Sequence, residues 1–229
     1  NWMSLAKHWS ENYEVWLIDQ RNHGQSAHSA EFSYQLMADD LLEFINEHNI
    51  MNPILLGHSM GGKTVMEFSV NHPELVNKLI VVDIAPVKYQ VHHYAILDAL
   101  EGLDFDFISS RKAADEFLSQ QIEEPGVRQF LLKNLYWVEK ERLAFRFNLE
   151  VIKREIIPIS EWSISEGKYE GPSLFIKGSE SEYVLPNYAK QISEKFPNYE
   201  LKEIHGAGHW VHAEAPKAFL SAIQSFRKE

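Results

Sequence analysis

The sequence predicts an α/β fold, in which a mostly parallel, twisted sheet is flanked by helices. Short apolar runs typical of buried strands alternate with segments of helical periodicity in the first and last parts of the chain. The part between them, residues 86–168, is mostly helical and predicts an insertion into the fold. A chain of 229 residues is long enough for one such domain with a modest insertion.

The first part of the chain is expected to contain helices and strands in alternation. Residues 1–9 read as a helix, and apolar residues at helical spacing predict an amphipathic helix over 34–49. A third helix over 63–71 is stopped by the His-Pro pair that follows it. The predicted strands of this part lie at 14–19, 54–56 and 78–83.

The inserted part reads as helical because apolar residues recur at helical spacing around Leu97 and Phe130. No strong strand is expected between Asp83 and Ser173. After the insertion, the sequence predicts strands at 173–178 and 199–204 and an amphipathic helix over 215–226.

The sequence Gly57-His58-Ser59-Met60-Gly61 matches the pattern G-x-S-x-G. It stands between an apolar run and a helix-prone run, which is the strand, sharp turn and helix of a nucleophile elbow. Glycines on both sides of the serine allow the turn to pack tightly, and the serine hydroxyl is exposed at the start of a helix. The pattern therefore predicts that Ser59 is a nucleophile.

Two further residues fit the same chemistry. His209 lies on a loop that contains Gly206 and Gly208 and follows the last predicted strand. Asp83 ends the strand predicted at 78–83. The chain order Ser59, Asp83, His209 is the order of nucleophile, acid and base in one class of serine hydrolases. A serine hydroxyl needs a base within hydrogen-bond reach, and the base needs an acid that orients its ring.

Four segments resemble the α/β-hydrolase superfamily, in particular its branch of YbfF-type bacterial esterases and ABHD11-like hydrolases. The segments are 19–26, 57–63, 82–87 and 206–214. They are collinear and spread along the whole chain. The resemblance implies an α/β-hydrolase core formed by 1–85 and 169–229, with a helical cap at 86–168 inserted between the sixth and seventh strands.

The resemblance also implies where an oxyanion would be stabilised. The backbone N–H of Met60, at the start of the helix, is expected to be one donor. The second donor belongs to a loop before the first residue of this chain. Three N-terminal strands of the fold are also absent from this sequence. We therefore expect the natural protein to be longer by some tens of residues, the alternative being a complete, circularly rearranged domain.

Asp83 is the acid that we expect, although the sequence leaves alternatives open. In most members of the superfamily the acid follows the seventh strand, but Ser181 occupies that position here. Asp83, after the sixth strand, is at the position expected for the YbfF-like branch. Glu180 and Glu182 are the alternatives, since a longer side chain from a neighbouring position can reach the same ring.

Several other histidines are expected to have no catalytic role. His58 is expected to pack or to form a hydrogen bond, and His92 and His93 are expected to be solvated. A metal site formed by His205, His209 and His212 is disfavoured, because a metal on His209 blocks its proton transfer. No metal and no organic cofactor are expected.

The composition excludes several classes of partner. The net charge of −11 opposes binding to nucleic acid or to anionic membranes. No apolar run approaches the length of a membrane span. The absence of cysteine excludes disulfides and suits a cytoplasmic protein. The sequence does not decide between a monomer and a small homo-oligomer.

These observations predict a serine hydrolase that cleaves carboxylic esters or thioesters through an acyl-enzyme. By resemblance, the acyl chains are short to medium in length. One alternative keeps the fold and the triad for a MenH-like elimination or carbon–carbon hydrolysis. Another, from a different class, is a non-catalytic binding protein.

Overall fold

The computed structural model describes residues 2–90, 94–140, 142–162 and 166–227. His92 and His93 therefore lie outside the described residues. In chain order the helices are α1 (Met3–Trp9), α2 (Tyr34–Glu47), α3 (Met60–Asn71), α4 (Tyr94–Glu101), α5 (Arg111–Leu118), α6 (Pro125–Leu132), α7 (Leu149–Arg154), α8 (Ile156–Ser160), α9 (Ala189–Lys195), α10 (Val211–Glu214) and α11 (Pro216–Arg227). The strands are β1 (Ile54–His58), β2 (Lys78–Val82), β3 (Leu135–Glu139), β4 (Arg142–Phe145), β5 (Ser173–Gly178) and β6 (Tyr199–Ile204).

The chain divides into two compact units. The first, called the core unit here, comprises Asn1–Ile18, Tyr34–Lys88 and Glu161–Glu229. The second, called the inserted unit, comprises Asp19–Ser33 and Tyr89–Ser160. The boundaries expected for the cap, 86–168, stay a prediction.

The core unit is built on a parallel sheet with the strand order β1-β2-β5-β6. Its register pairs Leu55 with Leu79, Leu79 with Ser173, and Ser173 with Tyr199. Because all four strands are parallel, their carboxyl ends lie at one edge of the sheet. This is the edge where ligands bind in open α/β sheets.

The two central strands explain why this sheet forms. Every residue of β5 is buried, and four of the five residues of β2 are. Runs of this kind are typical of parallel strands covered on both faces. On one face, Phe219, Ile223 and Phe226 of α11 join the buried cluster. Helix α3 contacts β1 and β2, and helix α2 packs against α3.

One predicted strand is wrong. Residues 14–19 form no strand in the described part of the chain. The local pattern is apolar and β-prone, but a strand also needs a neighbour that accepts and donates backbone hydrogen bonds. Within this segment Trp16, Leu17 and Ile18 are between 41% and 47% exposed. The ring of Trp16 packs edge-on against Phe44 of α2.

The inserted unit corrects a second expectation, that no strong strand lies between Asp83 and Ser173. Strands β3 and β4 form an antiparallel hairpin, in which Leu135 pairs with Phe145 and Trp137 with Leu143. Leu135 and Leu143 are buried in the same apolar cluster as helices α4 and α5. The apolar spacing of α6 runs on into Leu135, and strands of four or five residues carry little periodicity of their own.

No helix in the described residues combines the length and the apolar character of a membrane span.

Candidate active site

Ser59 lies in the sharp turn between β1 and α3, as the sequence predicts. Its backbone has φ 53° and ψ −119°, a conformation that non-glycine residues rarely adopt. A Cβ atom on Gly57 would lie 2.1 Å from the carbonyl oxygen of Gly61, and one on Gly62 would lie 2.5 Å from Cγ2 of Ile84. The turn therefore requires the glycines at both positions. It presents the Ser59 side chain at the carboxyl edge of the sheet.

Asp83 directly follows β2 at the same edge and is completely buried. Its carboxylate accepts three hydrogen bonds. Oδ1 accepts from the backbone N–H of Gly178 at 3.0 Å. Oδ2 accepts from Nδ1 of His209 at 2.8 Å and from the hydroxyl of Ser181. A buried carboxylate is stabilised only when its oxygens are satisfied in this way.

His209 lies on the loop between β6 and α10 and links the two other residues. While Nδ1 is bound to Asp83, Nε2 lies 3.1 Å from Oγ of Ser59. Since a carboxylate only accepts, Nδ1 carries the proton, and Nε2 is free to accept from the serine hydroxyl. The three side chains thus form one line of hydrogen bonds. The ring of Tyr183 stacks on the His209 ring at 4.1 Å between centroids.

Met60 is the first residue of α3 and directly follows Ser59. The first N–H groups of a helix have no acceptor within the helix. Together with the helix dipole they favour a negative charge beside Ser59. This is the position that the sequence analysis assigns to one oxyanion donor.

The structure brings Asp83 to His209 and leaves the two alternative acids elsewhere. The side chains of Glu180 and Glu182 are exposed, and the Nδ1 hydrogen bond of His209 goes to Asp83. Ser181, at the usual position of the acid, instead donates to Asp83 and is itself buried.

Two further contacts of Asp83 and His209 carry no clear signal in the sequence. A serine cannot supply the charge of an acid, and its residue type does not predict a hydrogen bond to Asp83. The hydroxyl of Ser181 nevertheless reaches the carboxylate of Asp83. No sequence signal distinguishes Tyr183, whose ring stacking depends on the fold of the loop after β5.

His212 is buried and lies next to this line of residues. Its ring stacks on Trp2 at 4.3 Å, and its nitrogens have no hydrogen-bond partner in the described residues. Burial lowers the pKa of His212 to about 4, with the neighbouring His209 acting in the same direction. His212 is therefore neutral near pH 7. The described residues contain no group of His, Asp and Glu side chains arranged to hold a metal ion.

Lys63, one turn after Ser59 on α3, is also buried. Its Nζ donates to the carbonyl oxygen of Glu161 at 2.7 Å and lies 5.5 Å from the centre of the Tyr34 ring. Burial lowers the pKa of Lys63 to about 7, although the carboxylate of Glu161 opposes the change. No role for this lysine is predicted from the sequence.

Comparison with known proteins agrees with this fold. The family model described as alpha/beta hydrolase fold matches residues 1–216. The chain is 36% identical to esterase YbfF of Escherichia coli, over 97% of this chain and 85% of that protein. It is 37% identical to the sn-1-specific diacylglycerol lipase ABHD11 of Mus musculus, over 99% of this chain and 76% of that protein.

A solved structure described as a marine microorganism esterase superimposes with a TM-score of 0.95. It is 40% identical and covers 98% of this chain and 89% of its own. The resemblance seen in the sequence motifs is confirmed. From the family model that spans nearly all of its length and from the fold of its core unit, the chain belongs to the α/β-hydrolase fold family.

Proposed function

We propose that this protein is an ester hydrolase in which Ser59 is the nucleophile, His209 the general base and Asp83 the acid of the triad. The observation that carries the proposal is the unbroken line of hydrogen bonds from the Asp83 carboxylate through both ring nitrogens of His209 to Oγ of Ser59. Its relatives are named esterases and lipases, which supports the reaction class.

The first half of the reaction forms an acyl-enzyme. Nε2 of His209 takes the proton of the Ser59 hydroxyl while Oγ attacks the ester carbonyl. The Asp83 carboxylate stabilises the imidazolium that results, at a contact of 2.8 Å. The N–H of Met60 stabilises the oxyanion of the tetrahedral intermediate. His209 then gives the proton to the leaving alcohol.

The second half reverses these steps with water. His209 takes a proton from a water molecule, whose oxygen attacks the acyl carbonyl, and Ser59 leaves with its proton restored. The carboxylic acid is released, and Ser59 and His209 return to their starting protonation states with a proton that comes from the water. These steps need no metal and no organic cofactor, because the side chains supply the nucleophile, the base and the electrostatic stabilisation.

The substrate proposed is a carboxylic ester or thioester with a short to medium acyl chain. One relative is named as a diacylglycerol lipase, so acylglycerols belong among the candidates. The backbone geometry of Ser59 and its hydrogen bond to His209 set no limit on the leaving group, so alcohols and thiols both remain to be compared.

The test is hydrolysis by the natural full-length protein of p-nitrophenyl esters from acetate to palmitate, of two acyl-CoA thioesters and of a diacylglycerol. We expect the Ser59→Ala variant to lose about 10⁶-fold in kcat, since loss of the nucleophile removes the acyl-enzyme route. Ser193→Ala is the matched control, because Ser193 is exposed on α9. Equal activity of the wild type and the Ser59→Ala variant on every substrate contradicts the proposal.

A further inference from the structure

The carbonyl group of His209 is bound by the side chain of His58. Nε2 of His58 lies 2.8 Å from the carbonyl oxygen of His209. A carbonyl oxygen only accepts hydrogen bonds, so Nε2 of His58 carries a proton and donates it. His58 is the last residue of β1 and directly precedes Ser59. The strand that presents the serine therefore also holds the loop that presents the base.

The His58 ring packs against two residues of that loop and against one residue of α10. Its centroid lies 4.5 Å from the ring of His209, 4.9 Å from that of His212 and 5.1 Å from that of Trp210. Burial, together with His209 and His212, lowers the pKa of His58 to about 3. His58 is thus neutral near pH 7 and places no second positive charge beside the imidazolium of His209.

The backbone N–H groups on both sides of His209 are bound by Glu214 and not by His58. The carboxylate of Glu214 accepts from the N–H of Gly208 at 2.6 Å and from the N–H of Trp210 at 3.1 Å. Glu214 belongs to α10, directly after the loop, so these bonds close the loop on itself. The hydrogen bond from His58, in contrast, joins the loop to β1.

We propose that His58 is a positioning residue, which holds the backbone of His209 so that Nε2 of the base stays within reach of Ser59. These contacts form a closed cycle. His58 is covalently joined to Ser59, and Oγ of Ser59 lies 3.1 Å from Nε2 of His209. The carbonyl oxygen of His209 in turn accepts the hydrogen bond from His58. This inference rests on the proposed function, because positioning matters only if Ser59 and His209 react together.

The physical reason is the steep dependence of proton transfer on geometry. A misplacement of 1 Å lowers the rate of an enzyme by about 10²-fold. Without the donor on His58, the His209 carbonyl loses the bond that ties it to β1, and the loop is free to shift by a fraction of that distance. Substrate contacts are untouched, so the loss falls on kcat and not on KM.

The experiment compares three substitutions at position 58 in the full-length protein. The amide nitrogen of Gln reaches the place of Nε2, whereas that of Asn ends near Nδ1, and Leu has no donor. We expect His58→Gln to keep kcat close to the wild type. We expect His58→Asn and His58→Leu to lose about 10-fold to 10²-fold in kcat at similar KM. His205→Leu is the control, since His205 is exposed four residues before His209.

A readout independent of substrate separates this inference from the proposed function. The low-field proton NMR signal of Nδ1–H of His209 reports its bond to Asp83. In His58→Asn and His58→Leu, which have no donor at the place of Nε2, this signal should broaden or disappear. Suppose that the wild type hydrolyses no ester, but that the signal is kept in His58→Gln and lost in His58→Asn and His58→Leu. The proposed function then fails, while His58 still positions His209. If all three variants match the wild type in kcat and in this signal, the inference is overturned. Equal losses in His58→Gln and His58→Asn also overturn it, because the ring and not the donor then matters.

Discussion

Replacement of Asp83 by Asn tests how the ring of His209 is oriented. The substitution keeps the shape of the side chain, and Asn tolerates the φ of 52° found at this position. The remaining carbonyl oxygen can still accept from the N–H of Gly178. The amide nitrogen, however, now faces Nδ1 of His209 and the hydroxyl of Ser181.

The consequence is a change of tautomer together with a loss of charge. An amide N–H donates, so it favours a ring in which Nδ1 accepts and Nε2 carries the proton. Nε2 of His209 then cannot take the proton of Ser59, to which it lies at 3.1 Å. The imidazolium that forms during the reaction also loses the negative charge that lies 2.8 Å from Nδ1.

The magnitude follows from these two effects. Opposite charges about 4 Å apart interact by about 4 kcal/mol at an effective dielectric constant of about 20. Loss of this interaction alone lowers the rate by about 10³-fold, since each 1.36 kcal/mol of barrier is about tenfold in rate. The unfavourable tautomer adds about 1.5 kcal/mol, the lower value for a hydrogen bond to a charged group. We therefore expect Asp83→Asn to lower kcat by about 10³–10⁴-fold, as in other triads.

The assay is kcat on the best p-nitrophenyl ester, with Glu180→Gln and Glu182→Gln as controls. Both control side chains are exposed, and we expect their substitution to change kcat little. Ser181→Asp in the Asp83→Asn background tests the geometry further, because position 181 already reaches position 83 through its hydroxyl. A large loss in either glutamate variant, with Asp83→Asn nearly unaffected, would refute the reasoning and move the acid to the loop after β5.

Two further predictions concern stability. Gly57→Ala should destabilise the fold by about 1–3 kcal/mol, the usual effect of overpacking, because its Cβ would lie 2.1 Å from the Gly61 carbonyl oxygen. Urea unfolding measures this loss. Gly126→Ala is the control, which should be neutral or stabilising because a Cβ there meets nothing within 4 Å. Burial lowers the pKa of His212 from 6.5 to about 4, so the unfolded chain binds an additional proton between these pH values and stability falls as the pH drops through them. His212→Phe should therefore lose about 2 kcal/mol less than the wild type in unfolding free energy between pH 7 and pH 5, and equal losses in urea titrations speak against the assignment.

The sequence by itself determines most of the core unit. The predicted helices at 34–49 and 215–226 are confirmed as α2 and α11, since a stripe of apolar residues at helical spacing can be buried in only one way. The continuous apolar runs of β2 and β5 are confirmed as buried parallel strands for a similar reason. The elbow around Ser59 is local in part, because the backbone of Gly61 blocks a Cβ atom on Gly57, whereas a Cβ atom on Gly62 is blocked by the distant Ile84.

The errors arise where the outcome depends on a distant partner. Residues 14–19 have the composition of a strand, but no strand pairs with them in the described part of the chain. The hairpin of β3 and β4 forms because each strand is the partner of the other and because Leu135 and Leu143 enter the same cluster. A pattern read along the chain carries no information on whether such a partner exists.

Which carboxylate lies beside His209 depends on tertiary structure. The resemblance favours Asp83 by its position after the sixth strand, but Glu180 and Glu182 have the same chemistry and lie near the usual position of the acid. The parallel pairing of β2 with β5 places the N–H of Gly178 on Asp83, although the two residues are 95 positions apart. The loop after β6 brings His209 to the same carboxylate from 126 positions away. Hydrogen bonds over such separations depend on the register of the sheet, which residue type and local periodicity do not specify.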